Sequence, residues 1–411
     1  MADELRYLFS DADIVAVVHE PAHAAVLELI ESDLPVPPVR LERGGPYERA
    51  LAAASPARDF GPRSGDDLYV LYTGGTTGMP KGVLWRHEDL FFAALGGGNP
   101  GGSPIEIPEE IVERALRGRQ RCLPASPFMH GAAHWFAWSM LLTGSTVVVA
   151  TDTAFNPENL LDLVVAERVT FLVIVGDAFG RPIAEALERE PGRWDLSALT
   201  VVLSGGAVFS PSVKAELLAR VPAAIVVDGF GASETGGHGR SVDAIGCDDK
   251  RPRFLVGEDT SVLDERMQPV KPGSGQVGRL ARRGHVPLGY HKDAEKTALT
   301  FPVVDGVRWA LPGDMAMVET DGTVIILGRG SVSINTGGEK VYPEEVESCL
   351  KAHPAVYDAV VVGVPDDRWG ERVCAVVAPR SGQQLPTAAS LADFCGDRLA
   401  GYKLPREVVG V

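Results

Sequence analysis

The chain has 411 residues, of which 45% are hydrophobic and 23% charged, with a net charge of −16. This length exceeds one compact core, so about two or three domains are expected, and the composition excludes a largely disordered chain. An acidic surface repels nucleic-acid phosphates, which argues against nucleic-acid binding as the main function. A small anionic ligand in a locally positive pocket is not excluded.

The cysteines and the N-terminal segment indicate the cellular compartment of the protein. The five cysteines are odd in number and include no C-x-x-C pair, which makes a poor disulfide framework and no zinc motif. No apolar run approaches the roughly 20 residues that a membrane-spanning helix needs, and Asp3 and Glu4 do not fit a signal peptide. We expect a cytoplasmic protein without a transmembrane segment, and the sequence leaves peripheral membrane contact open.

The N-terminal part alternates short apolar runs with helical patterns. Continuous Val/Ile/Leu runs favour parallel strands covered by helices. A long connection rich in Pro, Gly and Arg is expected at 36–66. The strands are predicted at 13–18, 68–73, 145–150, 170–176, 199–206 and 224–231, and the helices at 22–30, 87–95, 157–169, 178–190 and 211–221.

The pattern changes after about residue 254. Shorter segments and Gly/Pro turns at 254–328 indicate a β-rich subdomain, and a polar, glycine-containing segment at 329–343 precedes a compact region. We therefore predict an α/β fold. It has a large N-terminal domain of stacked, mostly parallel α/β subdomains plus the β-rich subdomain, followed by a small mobile α+β domain. That last domain has predicted helices at 344–353 and 389–399 and strands at 358–364 and 372–379.

The segment YTGGTTGMPKG at 72–82 predicts a loop that wraps a polyphosphate. Its glycines let the backbone turn and point N–H groups inward, its threonines add hydroxyl donors, and its lysine adds a mobile positive charge. It is not a Walker A loop, because Pro80 precedes Lys81 and Gly82 follows it. The candidate ligand-binding residues are Thr73, Gly74, Gly75, Thr76, Thr77, Gly78 and Lys81.

This string resembles the T-S/G-G-T-T-G-x-P-K-G loop of the adenylate-forming (AMP-binding) superfamily. That superfamily contains acyl- and aryl-CoA synthetases, luciferases and peptide-synthetase adenylation domains. Other segments match the family's motifs, and the resemblance covers essentially the whole chain. They are PFMHG (127–131), LSGGAVFSP (203–211), DGFGASETG (228–236), GDMAMVETDGTVIILGR (313–329) and GRGSVSINTGGEKVYPEEVE (328–347).

The resemblance implies a nucleotide site. The glycine loop and Lys81 would hold the β- and γ-phosphates of ATP, Phe230 would stack on adenine, and Asp314 would accept hydrogen bonds from the ribose hydroxyls. Mg²⁺ would be bound by Glu234, with Thr77 as a second ligand. The other nucleotide-binding residues would be Gly205, Gly206, Ala207, Asp228, Gly229, Ser233 and Arg329.

The resemblance also implies an acyl site and a coenzyme A site. His130 would gate the acyl site and, with Lys81 and Glu234, count among the catalytic residues. The small domain would rotate about Ser331, and Gly337 and Gly338 would let the thiol of coenzyme A pass close to the backbone.

Taken singly, these residues have simpler explanations. Glu234 after a serine resembles a helix cap, Asp314 a turn residue, and Arg329 a solvated surface cation. His130 and His134 are spaced i, i+4 and could bind a metal, but no third ligand is evident. A packed or gating histidine is the favoured interpretation.

The implied reaction activates a carboxylic acid in two steps, through acyl-AMP to acyl-CoA, with release of pyrophosphate and AMP. The segment GVPDDRWGERVCAVV at 363–377 resembles the corresponding segment of CoA ligases. The chain resembles bacterial fatty-acyl-CoA synthetases, in the branch that includes synthetases for steroid side-chain acids. A luciferase-type oxygenase shares the motifs and stays an alternative.

Two departures from the family concern the ends of the chain. The family has a large subdomain before the phosphate loop and an adenylation lysine beyond a YKLPREVV segment, whereas this chain stops at Val411 and Lys403 belongs to the preceding segment. We therefore expect truncation at both ends. An AMP-binding domain would span 1–328 without its first part, and a hinge and CoA-loop domain would span 329–411 without its end. The alternative is an impaired remnant that at most binds nucleotide or performs the thioester half-reaction.

Overall fold

The computed structural model describes residues 2–57, 59–74, 79–244, 252–366 and 368–411. None of the helices in these ranges is long and apolar enough to cross a membrane. The helices are α1 (Ala2–Asp11), α2 (Ala24–Glu31), α3 (Pro46–Ala53), α4 (His87–Ala93), α5 (Glu109–Ala115), α6 (Gly131–Leu142), α7 (Pro157–Ala166), α8 (Gly176–Arg189), α9 (Pro211–Arg220), α10 (Ala294–Thr300), α11 (Pro343–Lys351) and α12 (Ala388–Cys395).

The strands follow the alternation that the sequence predicts in most of the N-terminal part and become denser after residue 254, but the connection predicted at 36–66 contains a strand at Val39–Glu42 and the helix α3. They are β1 (Ala16–His19), β2 (Val39–Glu42), β3 (Leu68–Thr73), β4 (Lys81–Arg86), β5 (Arg121–Pro124), β6 (Thr146–Val147), β7 (Phe171–Ile174), β8 (Val201–Ser204), β9 (Ile225–Ala232), β10 (Gly236–Asp243), β11 (Leu255–Val256), β12 (Thr260–Leu263), β13 (Gly278–Arg282), β14 (Gly289–Tyr290), β15 (Val303–Val304), β16 (Val307–Arg308), β17 (Asp314–Val318), β18 (Val324–Arg329), β19 (Ile334–Thr336), β20 (Glu339–Val341), β21 (Val356–Asp366), β22 (Gly370–Pro379) and β23 (Glu407–Gly410).

One compact unit comprises Met1–Asp89 and Pro287–Leu299. Strands β3 and β4 form an antiparallel hairpin that pairs Thr73 with Lys81, and β14 adds to β4. Strand β4 was not predicted, because the proline and glycine beside Lys81 suggested that the loop continues. Val83 and Trp85 are completely buried on one face of the strand, whereas Leu84 and Arg86 on the other face are partly exposed, and this alternation is typical of a strand.

The second compact unit comprises Leu90–Val286 and Thr300–Val411. Its largest sheet has the order β11-β10-β9-β8-β7-β5-β6. From β6 to β9 all neighbours are parallel, and β10 and β11 are antiparallel additions. The predicted α/β class, with parallel strands between helices, is confirmed. The core between this sheet and α7, α8 and α9 includes Leu161, Leu172, Ile183, Val202, Val213 and Val226.

Local sequence explains how these helices begin. The Asn156 side chain accepts a hydrogen bond of 2.9 Å from the Asn159 N–H, and Pro157 occupies the first turn of α7. Helix α8 begins at Gly176, where φ is +50° and a Cβ atom would lie 2.3 Å from the Val208 carbonyl oxygen. Only glycine fits this β7–α8 turn, which packs against the loop that leads into α9.

The β-rich part predicted at 254–328 contains the antiparallel sheet β12-β13-β17-β18. The C-terminal part has the sheet β20-β19-β22-β21, with β23 parallel to β22, and the helices α11 and α12. Its own core includes Val346, Leu350, Val361, Val377 and Leu391. The compact units divide the chain differently from the predicted domains, and the boundary between 328 and 329 stays a prediction.

Candidate active site

Two neighbouring parallel strands of the large sheet end together. Ser204 at the end of β8 pairs with Asp228 of β9, so the predicted segments LSGGA and DGFGASE leave the sheet side by side. A Cβ atom on Gly205 would lie 3.2 Å from the Gly229 carbonyl oxygen, and Gly206 has φ of +85°. The loop Gly205–Ala207 therefore lies close to β9. Carboxyl ends of parallel strands are where open α/β sheets bind ligands.

The segment DGFGASETG forms a hairpin rather than a strand followed by a loop. Strand β9 continues to Ala232, the turn contains Ser233 and Glu234, and β10 returns antiparallel. The buried Thr235 hydroxyl accepts a hydrogen bond of 3.1 Å from the Ala232 N–H, which closes the turn. The hairpin thus presents the partly exposed Glu234 at its tip.

The ring of Phe230 lies among other rings. It stacks on the His238 imidazole with centroids 5.3 Å apart and planes 9° apart. The Phe254 ring meets it edge-on, at 4.7 Å and 70°. These contacts hold the predicted base-stacking ring in a defined orientation. Phe230 is nevertheless only partly buried.

The predicted ribose carboxylate lies at the start of β17, opposite Arg329 of β18. The Arg329 Nε atom is 3.2 Å from Asp314 Oδ1, and the two residues are register partners. Burial raises the pKa of Asp314, Arg329 opposes this rise, and the charge of Glu234 adds to it. The second unit therefore brings Asp314, Arg329 and Glu234 within electrostatic reach of one another.

A buried lysine that the sequence analysis missed lies behind β9. Lys214 of α9 is 2% exposed, and its Nζ atom lies 2.8 Å from Asp228 and 3.0 Å from Asp243. Burial acts to lower the pKa of Lys214, but the two carboxylates raise it above its ordinary value. The helical periodicity could have indicated its burial, because Lys214 falls between Val213 and Leu217 on the buried face of its helix.

The phosphate-loop residues that the structure describes belong to the first unit. Lys81 begins β4 and forms an ion pair with Asp293, whose pKa it lowers. The Thr73 hydroxyl lies 3.4 Å from the Gly74 carbonyl oxygen. Asp293 was not among the predicted residues. The remaining predicted loop residues lie outside the described residues: Gly75, Thr76, Thr77 and Gly78.

The predicted gating histidine is exposed. His130 directly precedes α6, and its carbonyl oxygen lies 3.0 Å from His134 Nδ1. That nitrogen is also 2.8 Å from the Phe128 carbonyl oxygen, and the imidazole meets the Trp138 ring edge-on at 5.3 Å. The contacts hold His134 against the start of α6.

The predicted hinge and thiol loop lie at the start of the C-terminal part. Ser331 is exposed in the short 3-10 turn Gly330–Val332. Gly337 and Gly338, with φ of +60° and +87°, form the turn between β19 and β20. The Gly337 N–H donates a 2.8 Å hydrogen bond to the Trp369 carbonyl oxygen, and a Cβ atom there would lie 2.8 Å from the Trp369 ring.

Lys403, which the sequence analysis separated from the family's adenylation lysine, has a local partner. Its Nζ atom lies 2.7 and 2.8 Å from the two carboxylate oxygens of the buried Glu345. This ion pair joins the segment around Lys403 to α11, and the Lys403 ammonium therefore has a structural role.

Known families and relatives match almost the whole chain. The family model described as AMP-binding enzyme matches residues 1–291, and the model described as AMP-binding enzyme C-terminal domain matches 345–411. The chain is 45% identical to a medium/long-chain-fatty-acid–CoA/3-oxocholest-4-en-26-oate–CoA ligase from Mycolicibacterium smegmatis, over 98% of this chain and 76% of the relative. It is 44% identical to a 3-oxocholest-4-en-26-oate–CoA ligase from Rhodococcus rhodochrous, over 99% of this chain and 76% of the relative.

A solved structure extends the comparison to the fold. The crystal structure of ATP-bound MatB from Rhodopseudomonas palustris superimposes with a TM-score of 0.80 and 27% identity, covering 100% of this chain and 78% of that one. The family models together span most of the chain, and the curated relatives cover nearly all of it. The chain therefore belongs to the family of AMP-binding enzymes.

Proposed function

We propose that this protein is an ATP-dependent acid–CoA ligase of the AMP-forming type, acting on a fatty acid or a steroid side-chain acid. The observation that carries the proposal is that one compact unit contains the Gly205–Ala207 loop beside β9, the Phe230 ring of that strand, and Glu234 within electrostatic reach of the Asp314–Arg329 pair. The acid class is supported by the names of relatives at 44–45% identity. Such similarity over almost the whole chain does not favour the impaired remnant.

In the first half-reaction, a carboxylate oxygen of the acid attacks the α-phosphorus of ATP. The bond from that phosphorus to the pyrophosphate oxygen breaks, which yields acyl-AMP and pyrophosphate. Phe230 and the Gly205–Ala207 loop would hold the base, and Asp314 the ribose. Catalysis of this kind consists mainly of positioning and of electrostatic stabilisation of the phosphate oxygens. Lys81 would supply positive charge to the β- and γ-phosphates.

The donor set at the hairpin tip suits Mg²⁺. The ion prefers oxygen ligands and is commonly held by one or two carboxylates together with substrate phosphates. Glu234 offers such a carboxylate near Asp314, and the described residues contain no cluster of three or more His, Cys, Asp or Glu that would hold an ion alone. When bound, Mg²⁺ would offset the negative charge of the phosphates.

In the second half-reaction, the thiolate of coenzyme A attacks the acyl carbonyl carbon. The bond from that carbon to the AMP oxygen breaks, which yields the thioester and AMP. The turn at Gly337 and Gly338 would let the thiol pass close to the backbone, with Ser331 as the hinge and His130 at the acyl site. We also place the protein in the cytoplasm, where ATP and coenzyme A are available. The four buried cysteines among the described residues are free thiols, which suits that compartment.

The two half-reactions are tested separately. ATP–pyrophosphate exchange is measured with fatty acids of increasing chain length and with a steroid side-chain acid, and acyl-CoA formation is measured from supplied acyl-AMP plus coenzyme A. We expect acid-dependent exchange and thioester formation. The variants Lys81→Ala and Glu234→Ala should weaken Mg·ATP binding. Absence of both half-reactions with every acid would refute the proposal, and unchanged ATP affinity in both variants would refute the assigned phosphate and metal residues.

A further inference from the structure

We propose that His238 is a positioning residue that holds the Phe230 ring in place for the adenine base. The inference rests on the proposed function and adds a residue that the family motif does not contain. It starts from the stacking of the two rings, which lie 5.3 Å apart and only 9° from parallel. An aromatic ring has two faces, and the imidazole covers one of them. The Phe254 ring meets Phe230 edge-on and apolar residues of the β-rich part pack against it, so we assign the face opposite the imidazole to the nucleobase.

The backbone places His238 against Phe230 through an irregularity of the hairpin. Strands β9 and β10 pair Gly231 with Gly237 and Phe230 with Gly239, so His238 is an extra residue between two paired ones. Such a bulge re-aims a side chain. A Cβ atom on Gly239 would lie 3.0 Å from the Phe230 ring, so the glycine leaves room for the ring to lie close to β10.

The imidazole is itself anchored. His238 is 4% exposed, and its Nδ1 atom lies 3.1 Å from the Thr260 hydroxyl of β12. The same hydroxyl lies 3.4 Å from the His238 carbonyl oxygen, so a proton on Nδ1 satisfies both contacts. Arg282 of β13 donates to the Gly237 carbonyl oxygen beside it. The hairpin of the large sheet is thereby joined to the β-rich part at the residue that backs Phe230.

The chemistry of the ring favours a stacking role over a charged one. Burial and the nearby Arg282 lower the pKa of His238 to about 3, so the imidazole is neutral at physiological pH. Its Nε2 atom is buried without a hydrogen-bond partner among the described residues. A buried unsatisfied nitrogen is destabilising, and such local costs are expected where function, rather than stability, selects the residue. Simple core packing would be served better by an apolar side chain.

Three variants of His238 separate ring positioning from simple filling of space. His238→Ala removes the ring, His238→Leu fills the space without a flat face, and His238→Phe keeps a flat ring. Calorimetry then measures the affinities for AMP, which needs the base platform, and for tripolyphosphate, which has no base. We expect AMP to bind about fivefold to tenfold more weakly to the Ala and Leu variants. The Phe variant should stay within about threefold of wild type, and tripolyphosphate affinity should not change.

Thr260→Val provides a second test if a variant at 238 fails to fold. Loss of the anchoring hydroxyl should weaken AMP binding about threefold and leave tripolyphosphate binding unchanged. Equal AMP affinities in the Leu and Phe variants, or equal losses for AMP and tripolyphosphate, would overturn the inference while the proposed function stands. A wild-type protein that binds no AMP would overturn both.

Discussion

The Lys214 ammonium lies 2.8 Å from the Asp228 carboxylate, and both side chains are almost completely removed from water. Asp243 lies 3.0 Å from the same ammonium. The contact ties helix α9 to the strand that carries Phe230, so one buried cation helps to set the position of the candidate base site. Removing a single partner of such a group leaves an uncompensated buried charge, which is far more destabilising than replacing the whole group.

Substitution of the buried lysine should therefore reveal a large pairwise coupling. Lys214→Met is expected to lower the free energy of unfolding by about 3–5 kcal/mol, because Asp228 and Asp243 lose their partner. Urea unfolding followed by circular dichroism measures the change. The double variant Lys214→Met/Asp228→Asn should recover part of the loss, and the exposed Lys271→Met should change stability by less than about 0.5 kcal/mol. A small effect at Lys214, similar to that at Lys271, would contradict the buried-charge interpretation.

These contacts also show what local patterns can and cannot predict. Period and composition predicted the parallel strands and helices, because each is encoded within about ten residues. Motifs predicted the residues of the candidate site through resemblance. The Lys214–Asp228 pair and the Lys81–Asp293 pair depend on which distant segments pack together, and the second joins residues 212 positions apart. No periodicity encodes such a separation, which is why Lys214, Asp293 and the two pairings were missed.

Strands β4 and β10 were missed for a different reason. Strand β4 begins directly after the proline of the glycine loop, and β10 contains three glycines between residues 236 and 239, so the sequence patterns indicated loops. Their pairing is decided by neighbours, as in the match of Phe230 with Gly239, where the missing side chain makes room for a ring. Tertiary context overrides local preference at these strands, of which β4 carries Lys81 and β10 pairs with the strand that carries Phe230.

The neutral His238 should make stability depend on pH in a defined direction. Its pKa is lowered to about 3 in the folded protein, mainly by burial, whereas an unfolded histidine titrates near 6.5. Between these values the unfolded chain binds the extra proton, so stability falls as pH decreases. The contribution should be about 1.4 kcal/mol per pH unit below 6.5 and absent above it. From pH 7 to pH 5, the unfolding free energy of wild type should therefore fall by about 2 kcal/mol relative to that of His238→Phe, which lacks the titrating group.

Unfolding in urea at several pH values measures this difference, and the pH effects of all other groups cancel between the two proteins. A difference that stays constant from pH 7 to pH 5 would mean that His238 takes up a proton in the folded state as easily as in the unfolded one.

The turn at Gly337 should affect the two proposed half-reactions unequally. Gly337→Ala places a Cβ atom 2.8 Å from the Trp369 ring at φ of +60°, so the turn or the ring must move. We expect thioester formation from supplied acyl-AMP and coenzyme A to fall at least about tenfold, while acid-dependent ATP–pyrophosphate exchange is retained. Gly382→Ala is the matched control, because φ there is +77° but no atom lies within 4 Å of the added Cβ. Equal losses of thioester formation in Gly337→Ala and Gly382→Ala would mean that backbone strain alone, and not the turn at Gly337, causes the effect.

The ion pair between Lys81 and Asp293 should compete with polyphosphate for the same ammonium. Asp293→Asn removes the competing carboxylate, and asparagine can still accept the 2.9 Å hydrogen bond from the Lys296 N–H at the start of α10. Since the pair is partly exposed, its electrostatic effect is modest. Tripolyphosphate binding, measured by calorimetry, should strengthen about threefold at low salt, and the gain should shrink as ionic strength rises.

Two controls decide whether Lys81 is responsible for that gain. In a Lys81→Met background, Asp293→Asn should change tripolyphosphate affinity by much less, because the ammonium that the carboxylate engages is gone. Asp13→Asn removes a carboxylate that pairs with Lys292 in the same unit and should also have a smaller effect. If Asp293→Asn weakens binding in the wild-type background, the carboxylate orients Lys81 towards the phosphates, and competition for the ammonium is ruled out.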